Sequence, residues 1–127
     1  MGYRQKNFSI TLDNASYVGG LVGYSNNSSA IIEDVIMDNV KVEVTGTGSY
    51  IGGLEGYSYR SITKGINATE IEVNAPSSDY VGGLVGYSSQ GEITEVVYEG
   101  DVTGDERVGG ILGYSSQGKT TSVIMNG

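Results

Sequence analysis

Tyr17-Val-Gly-Gly-Leu-Val-Gly-Tyr-Ser25 returns three times along the chain. It recurs as Tyr50-Ile-Gly-Gly-Leu-Glu-Gly-Tyr-Ser58, Tyr80-Val-Gly-Gly-Leu-Val-Gly-Tyr-Ser88 and Arg107-Val-Gly-Gly-Ile-Leu-Gly-Tyr-Ser115. The first glycines of the copies are Gly19, Gly52, Gly82 and Gly109, so the interval shortens from 33 to 30 to 27 residues. A phrase repeating at about 20 to 50 residues marks stacked structural units rather than one irregular core. Units therefore begin near residues 17, 50, 80 and 107. Residues 1–16 read as the end of a preceding unit, and residues 17–127 as the repeat array.

Strict strand alternation would put Val18, Gly20, Val22 and Tyr24 on one face and Tyr17, Gly19, Leu21 and Gly23 on the other. Yet the positions of both Val18 and Leu21 are aliphatic in every copy. Both can face inward only if the glycine pair (Gly19-Gly20, Gly52-Gly53, Gly82-Gly83, Gly109-Gly110) bends the chain. Leu21, Leu54, Leu84 and Ile111 are then core residues. Val22 becomes Glu55 in the second copy, which predicts a solvent-facing position. A helix is excluded, because each of these glycines would cost about 1 kcal/mol relative to Ala.

A β-branched stretch follows each phrase. Ile31, Ile62, Ile93 and Thr120 align as one ladder, and Val35, Ile66, Val97 and Ile124 as the next. Val40, Ile71 and Val102 continue the series, then Val42 and Val73, with Gly104 at its end. Length varies in Asn26-Asn-Ser-Ser29, Thr45-Gly-Thr-Gly-Ser49, Pro76-Ser-Ser-Asp79 and Gly104-Asp-Glu106, all rich in turn formers. In this register Glu33, Lys64 and Glu95 share a ladder and Lys41 faces Glu72, so charges alternate between coils about 4.8 Å apart. The interval is too short for a four-stranded propeller blade. The expected fold is all-β: a parallel β-solenoid (β-helix) of about four coils, with Gly-Gly bends, about three short strands per coil and an aliphatic interior.

Composition narrows the function. The chain of 127 residues has no Cys and no His, which removes disulfides, the Ser-His-Asp triad, the Cys-His dyad and the usual zinc ligands. A net charge of −8 is the wrong sign for nucleic acid or for an anionic membrane surface. No run of about 18 apolar residues is present to insert into a bilayer. Tyr occurs 10 times beside one Phe and no Trp, and phenols suit half-wet positions. The start Met1-Gly-Tyr-Arg-Gln-Lys-Asn7 lacks the apolar stretch of a secretory signal, so the chain reads as a slice of a longer exported protein with its signal upstream. Cut ends of a solenoid expose unpaired strand edges, which predicts end-to-end association of the isolated piece.

The phrase Gly-Gly-[Leu/Ile]-x-Gly-Tyr-Ser followed by an Ile/Val-rich strand resembles the GLUG motif, a repeat of bacterial surface and secreted proteins. These include adhesin-like proteins and the non-catalytic regions of immunoglobulin A-cleaving metallopeptidases. The resemblance covers residues 17–127 and implies a structural repeat at the bacterial surface or in secretion. A peptidase relative would carry His-Glu-x-x-His, and this chain has no histidine to supply it.

Tyr24, Tyr57, Tyr87 and Tyr114 read as an aromatic stack closing one corner of the coil, with a sugar-stacking platform as the alternative. Tyr17, Tyr50, Tyr80 and Arg107 vary more and read as the more exposed series, hence the ligand candidates for a host glycan or host protein. Tyr59 and Arg60 break the repeat and join them. Asp34, Asp38, Asp101 and Asp105 lack the dense Asp-x-Asp-x-Asp spacing of a calcium loop, so no metal or other cofactor is expected. Glu92, Glu95 and Glu99 would have to supply the carboxylate pair of a polysaccharide-cleaving enzyme, but align with repetitive surface positions. The expected role is a non-catalytic rigid spacer or scaffold in adhesion or substrate positioning, with direct glycan or protein recognition as the alternative.

Overall fold

The computed structural model describes residues 3–26, 31–59, 62–116 and 119–126. Among them every regular element is a strand, and the strands form three parallel sheets. The first stacks β1 (Tyr3–Asp13), β4 (Ile31–Thr45), β7 (Ile62–Asn74), β10 (Glu92–Thr103) and β13 (Lys119–Asn126), in that order. A second joins β2 (Val18–Gly19), β5 (Thr47–Gly52), β8 (Ser77–Gly82) and β11 (Glu106–Gly109). The third joins β3 (Val22–Asn26), β6 (Glu55–Tyr59), β9 (Val85–Ser89) and β12 (Leu112–Ser116). Each coil gives one strand to each sheet, so the chain is a parallel β-solenoid of about four coils.

The glycine phrase is the corner between the second and third sheets. The backbone bends at Gly20-Leu21, Gly53-Leu54, Gly83-Leu84 and Gly110-Ile111. Inter-coil hydrogen bonds continue through the bend: Gly20 N donates to Gly53 O (2.9 Å), Gly53 N to Gly83 O (3.1 Å) and Gly83 N to Gly110 O (3.0 Å). Next along, Leu54 O accepts from Leu21 N and Val22 N, and Leu84 O from Leu54 N and Glu55 N. Coils approach so closely here that a side chain has no room. A Cβ on Gly86 would stand 2.6–2.7 Å from Ile51 N, Gly56 O and Tyr80 O.

The long strands of the first sheet bend at left-handed residues that themselves stack between coils. Asn7, Asn39 and Glu70 form one such row, and Asp34, Gly65 and Glu95 another. Each adds one residue to the two-residue side-chain period, so the inward positions of β4 run Val35, Met37, then Val40, Val42 and Val44. Likewise β7 buries Ile66, Ala68, then Ile71 and Val73, and Ala75 just past its end is buried too. Fully burying each aliphatic side chain contributes about 1.5–3 kcal/mol.

Strand β10 solves the same corner differently. It lacks the extra residue, so Ala68 pairs with Tyr98 and Ile71 with Gly100. Tyr98, fully buried, spans the space that Ile71 fills one coil earlier, and its ring occupies the place a Cβ on Gly83 would need. A large residue beside a small one thus replaces a small beside a large. The phenol oxygen is buried with no hydrogen-bond partner among the described residues.

The expected register is corrected in the third coil by one residue as far as Tyr98 and by two beyond it, where β10 omits a residue. Ile62 pairs with Glu92, and Thr63 with Ile93; Ile66 pairs with Val96 rather than Val97. Val102 pairs with Val73 rather than Ile71, and Lys64 with Thr94 rather than Glu95. The Glu33–Lys64 and Lys41–Glu72 pairings hold, with Lys41 Nζ 3.7 Å from Glu72 Oε2. The error came from matching Ile62 to Ile93 by hydrophobicity, whereas the segments between Tyr59 and Ile62 and between Ser89 and Glu92 have equal length. Val108 is a further departure. It is 41% exposed on β11, whereas Val18, Ile51 and Val81 at the same position are buried.

Glu55 departs most. It is completely buried, with Val22 and Val85 beside it in the third sheet. Polarity alone had placed it in solvent. What makes the buried site tenable is Thr63, whose hydroxyl donates to Glu55 Oε1 at 2.6 Å. Thr63 stands where the neighbouring coils have Ile32 and Ile93, so one polar pair replaces an aliphatic pair inside the stack. Glu55 Oε2 has no partner among the described residues, and burial pushes the carboxyl from 4.5 up to about 7.

Candidate functional site

A left-handed residue opens each glycine phrase: Tyr17, Tyr50, Tyr80 and Arg107 have φ between 51° and 64°. Such a conformation is costly for a bulky residue. Because the sheets are in register, both series of the phrase form rows along the solenoid. Tyr17–Tyr50 and Tyr50–Tyr80 stack at 4.9 and 5.0 Å between ring centroids, and Arg107 continues the row 4.6 Å over the Tyr80 ring. Tyr24–Tyr57, Tyr57–Tyr87 and Tyr87–Tyr114 stack at 5.0, 4.8 and 5.3 Å.

The two rows touch edge to face. Tyr17–Tyr24, Tyr50–Tyr57 and Tyr80–Tyr87 meet at 5.4, 5.1 and 5.3 Å with ring planes 66–75° apart. Seven tyrosines therefore make one herringbone strip in which both preferred aromatic geometries repeat. Centroids near 5 Å with nearly parallel planes require each ring to slide roughly 3 Å past the next, since carbon contact is about 3.5–4.0 Å. The strip is a staircase, not a closed column.

The expected division between an exposed row and a packed row is not what the structure has. Tyr17 is 44% exposed, but Tyr24 and Tyr114 of the other row are 49% and 43% exposed, and Tyr50, Tyr57, Tyr80 and Tyr87 are all half-buried. Both rows belong to one surface. Burial, and then the neighbouring phenols, raise Tyr50 and Tyr57 above the usual tyrosine value.

Among the described residues, the ion pairs beside the strip lie at one end. Arg107 donates to Asp79 and lies 3.7 Å from Glu106. Toward the first coil the equivalents of Asp79 are Ser49 and Ser16, joined by a 3.1 Å bond from Ser49 N to Ser16 Oγ. Asp79 as the partner of Arg107 was not foreseen, although both precede or open the same phrase. Tyr59 is half-buried on β6, and Arg60 lies outside the described residues, as do residues 27–29 of the first variable turn.

A shallow groove of about 520 Å³ runs across the first sheet past Lys41, Glu70, Glu72, Glu99 and Asp101. Glu92, Glu95 and Glu99 are exposed along one strand; Glu95 lies opposite Gly65, which corrects its alignment with Lys64, and Glu99 lies beside the extra residue of β7. Asp38 accepts from Thr69 Oγ1 at 3.2 Å, and no group of three or more metal-ligating side chains is assembled among the described residues. No family model, curated protein or solved structure matches the chain.

Proposed function

We propose that this solenoid is a rigid, non-catalytic spacer of a bacterial surface or secreted protein, holding a neighbouring domain or substrate at a set distance. The observation that carries the reading is continuity along the axis. Among the described residues, backbone ladders and glycine corners repeat from coil to coil, and the mostly aliphatic core and stacked rows follow them. The interruptions are the Glu55–Thr63 pair, the residue that β10 omits and Arg107 at the end of one row. Such an array resists bending because displacing one coil breaks contacts of every kind with the next. The likeness of the glycine phrase to the GLUG repeat supports the surface or secreted setting. Pulling the chain by its two ends in a single-molecule force experiment tests the reading. Discrete rupture steps are expected, and a featureless extension like that of a Gly/Ser linker would contradict it.

A second reading, direct recognition of a glycan or host protein, is favoured by one observation: the half-exposed tyrosine strip runs the length of the array.

A further inference from the structure

The strip has three properties that together select a ligand. It is linear, running parallel to the solenoid axis through four coils. It is periodic, with one step every 4.8–5.3 Å. Its ion pairs among the described residues, Arg107 with Asp79 and with Glu106, are also confined to the last two coils. We propose that it binds an extended, neutral β-1,4-linked polysaccharide lying along the axis, with one sugar per coil. The proposal rests on the recognition reading above and names its ligand.

The match is one of rise. Successive sugars in a flat β-1,4-linked chain advance by nearly the coil separation of a parallel sheet, about 4.8 Å. Successive sugars are flipped and present alternate C–H faces, so each coil meets a pyranose face nearly in step over four coils, and the contacts add along the strip in the manner of linked binding modules. Each step offers the same two features. A strip of ring left uncovered by the slid stack meets the apolar C–H face of a pyranose, and a phenol hydroxyl both donates and accepts toward sugar hydroxyls. The rings are already held by their stacking partners, so little side-chain entropy is lost on binding. An acidic polysaccharide would meet Asp79 and the net charge of −8. α-1,4-Linked chains curl and fall out of step after one or two coils.

The test is calorimetric titration of the whole chain with β-1,4-linked glucose and N-acetylglucosamine oligomers of two to six sugars, and with an α-1,4-linked hexamer as control. The affinity should rise by about tenfold between the dimer and the tetramer and level off beyond four sugars. The α-linked hexamer should not bind. Replacing Tyr50, Tyr57, Tyr80 and Tyr87 together by Phe keeps the stacked rings and should weaken the tetramer by about tenfold, through loss of the hydroxyls alone. Circular dichroism melting confirms that this variant stays folded. If a melting loss shows that it does not, the single change Tyr57→Phe should weaken the tetramer by a smaller factor. Binding that ignores chain length or linkage, or that survives loss of the hydroxyls, overturns the one-sugar-per-coil arrangement while leaving glycan recognition in place. No binding by any oligomer overturns the polysaccharide proposal, and leaves recognition of a host protein and the spacer role as the readings still standing.

Discussion

Replacing Glu55 and Thr63 together, as Glu55→Val with Thr63→Ile, should stabilise the protein at neutral pH and remove part of its pH dependence. The double variant gives the second coil the aliphatic residues that flank it: Val22 and Val85 at one position, Ile32 and Ile93 at the other. In the native protein the Glu55 carboxyl is raised from 4.5 to about 7 because it is buried, with the Thr63 hydrogen bond opposing the shift only in part. Below pH 4.5 the group is protonated folded or unfolded and costs nothing extra. Between pH 4.5 and 7 the unfolded chain ionises while the folded one does not, so stability falls. Above pH 7 the loss is complete, at about 3 kcal/mol for a shift of this size. The difference in unfolding free energy between the double variant and the native protein should therefore grow by about 3 kcal/mol from pH 4 to pH 8. Urea unfolding at several pH values measures it, and subtraction cancels the titration of all groups common to both proteins. The single change Glu55→Val should be destabilising at pH 4 by about 1–3 kcal/mol, because it strands the Thr63 hydroxyl in the core. A difference that stays constant from pH 4 to pH 8 would refute the burial of Glu55.

Tyr98→Phe should raise the melting temperature slightly, since it removes a buried hydroxyl that has no partner among the described residues. Tyr98→Ala should cost about 3–5 kcal/mol through the cavity it opens; a lowered melting temperature for the Phe variant would show that the hydroxyl is bonded. Gly86→Ala should abolish folding or cost several kcal/mol, as its Cβ would meet three backbone atoms at 2.6–2.7 Å. Circular dichroism decides this, and a native-like melt would refute the glycine corner. Spectrophotometric titration of the phenols should show a fraction ionising later than free tyrosine, from Tyr50, Tyr57 and most of all Tyr98, all raised first by burial. Stability should then decline as pH climbs past the unfolded tyrosine value of about 10. A single unshifted transition would mean that the rows are not packed.

Fold and corner were legible in the sequence because glycine, Leu and Tyr recur at one spacing, and few architectures allow that. The bend at Gly-Gly followed from two aliphatic positions, Val18 and Leu21, that alternation could not both bury. The register of the third coil was not legible. Left-handed residues such as Asn39 and Glu70 insert a residue without any hydrophobic signature, and β10 omits one between Tyr98, opposite Ala68, and Gly100, opposite Ile71. Misplacing Ile62 against Ile93 also hid Thr63, the residue that explains Glu55. In the correct register, two polar replacements at core positions of one coil would have pointed to a buried pair. For the tyrosines, the sequence showed two series but not their contact. The turn geometry that makes them edge-to-face neighbours depends on the left-handed conformation at Tyr17, Tyr50 and Tyr80, which no tyrosine advertises.

Stiffness with an in-register rise is the claim on which both the spacer role and the glycan strip depend. It is measured most directly by spin labels on the outward ladder Ser9, Lys41, Glu72 and Asp101, whose residues pair coil to coil. With no native cysteine to interfere, Ser9→Cys with Asp101→Cys places two labels three coils apart, about 14–15 Å between backbones. Pulsed electron–electron spectroscopy should return a single narrow distance distribution, lengthened only by the label tethers. A broad distribution, or a mean well away from three coil steps, would contradict the rod.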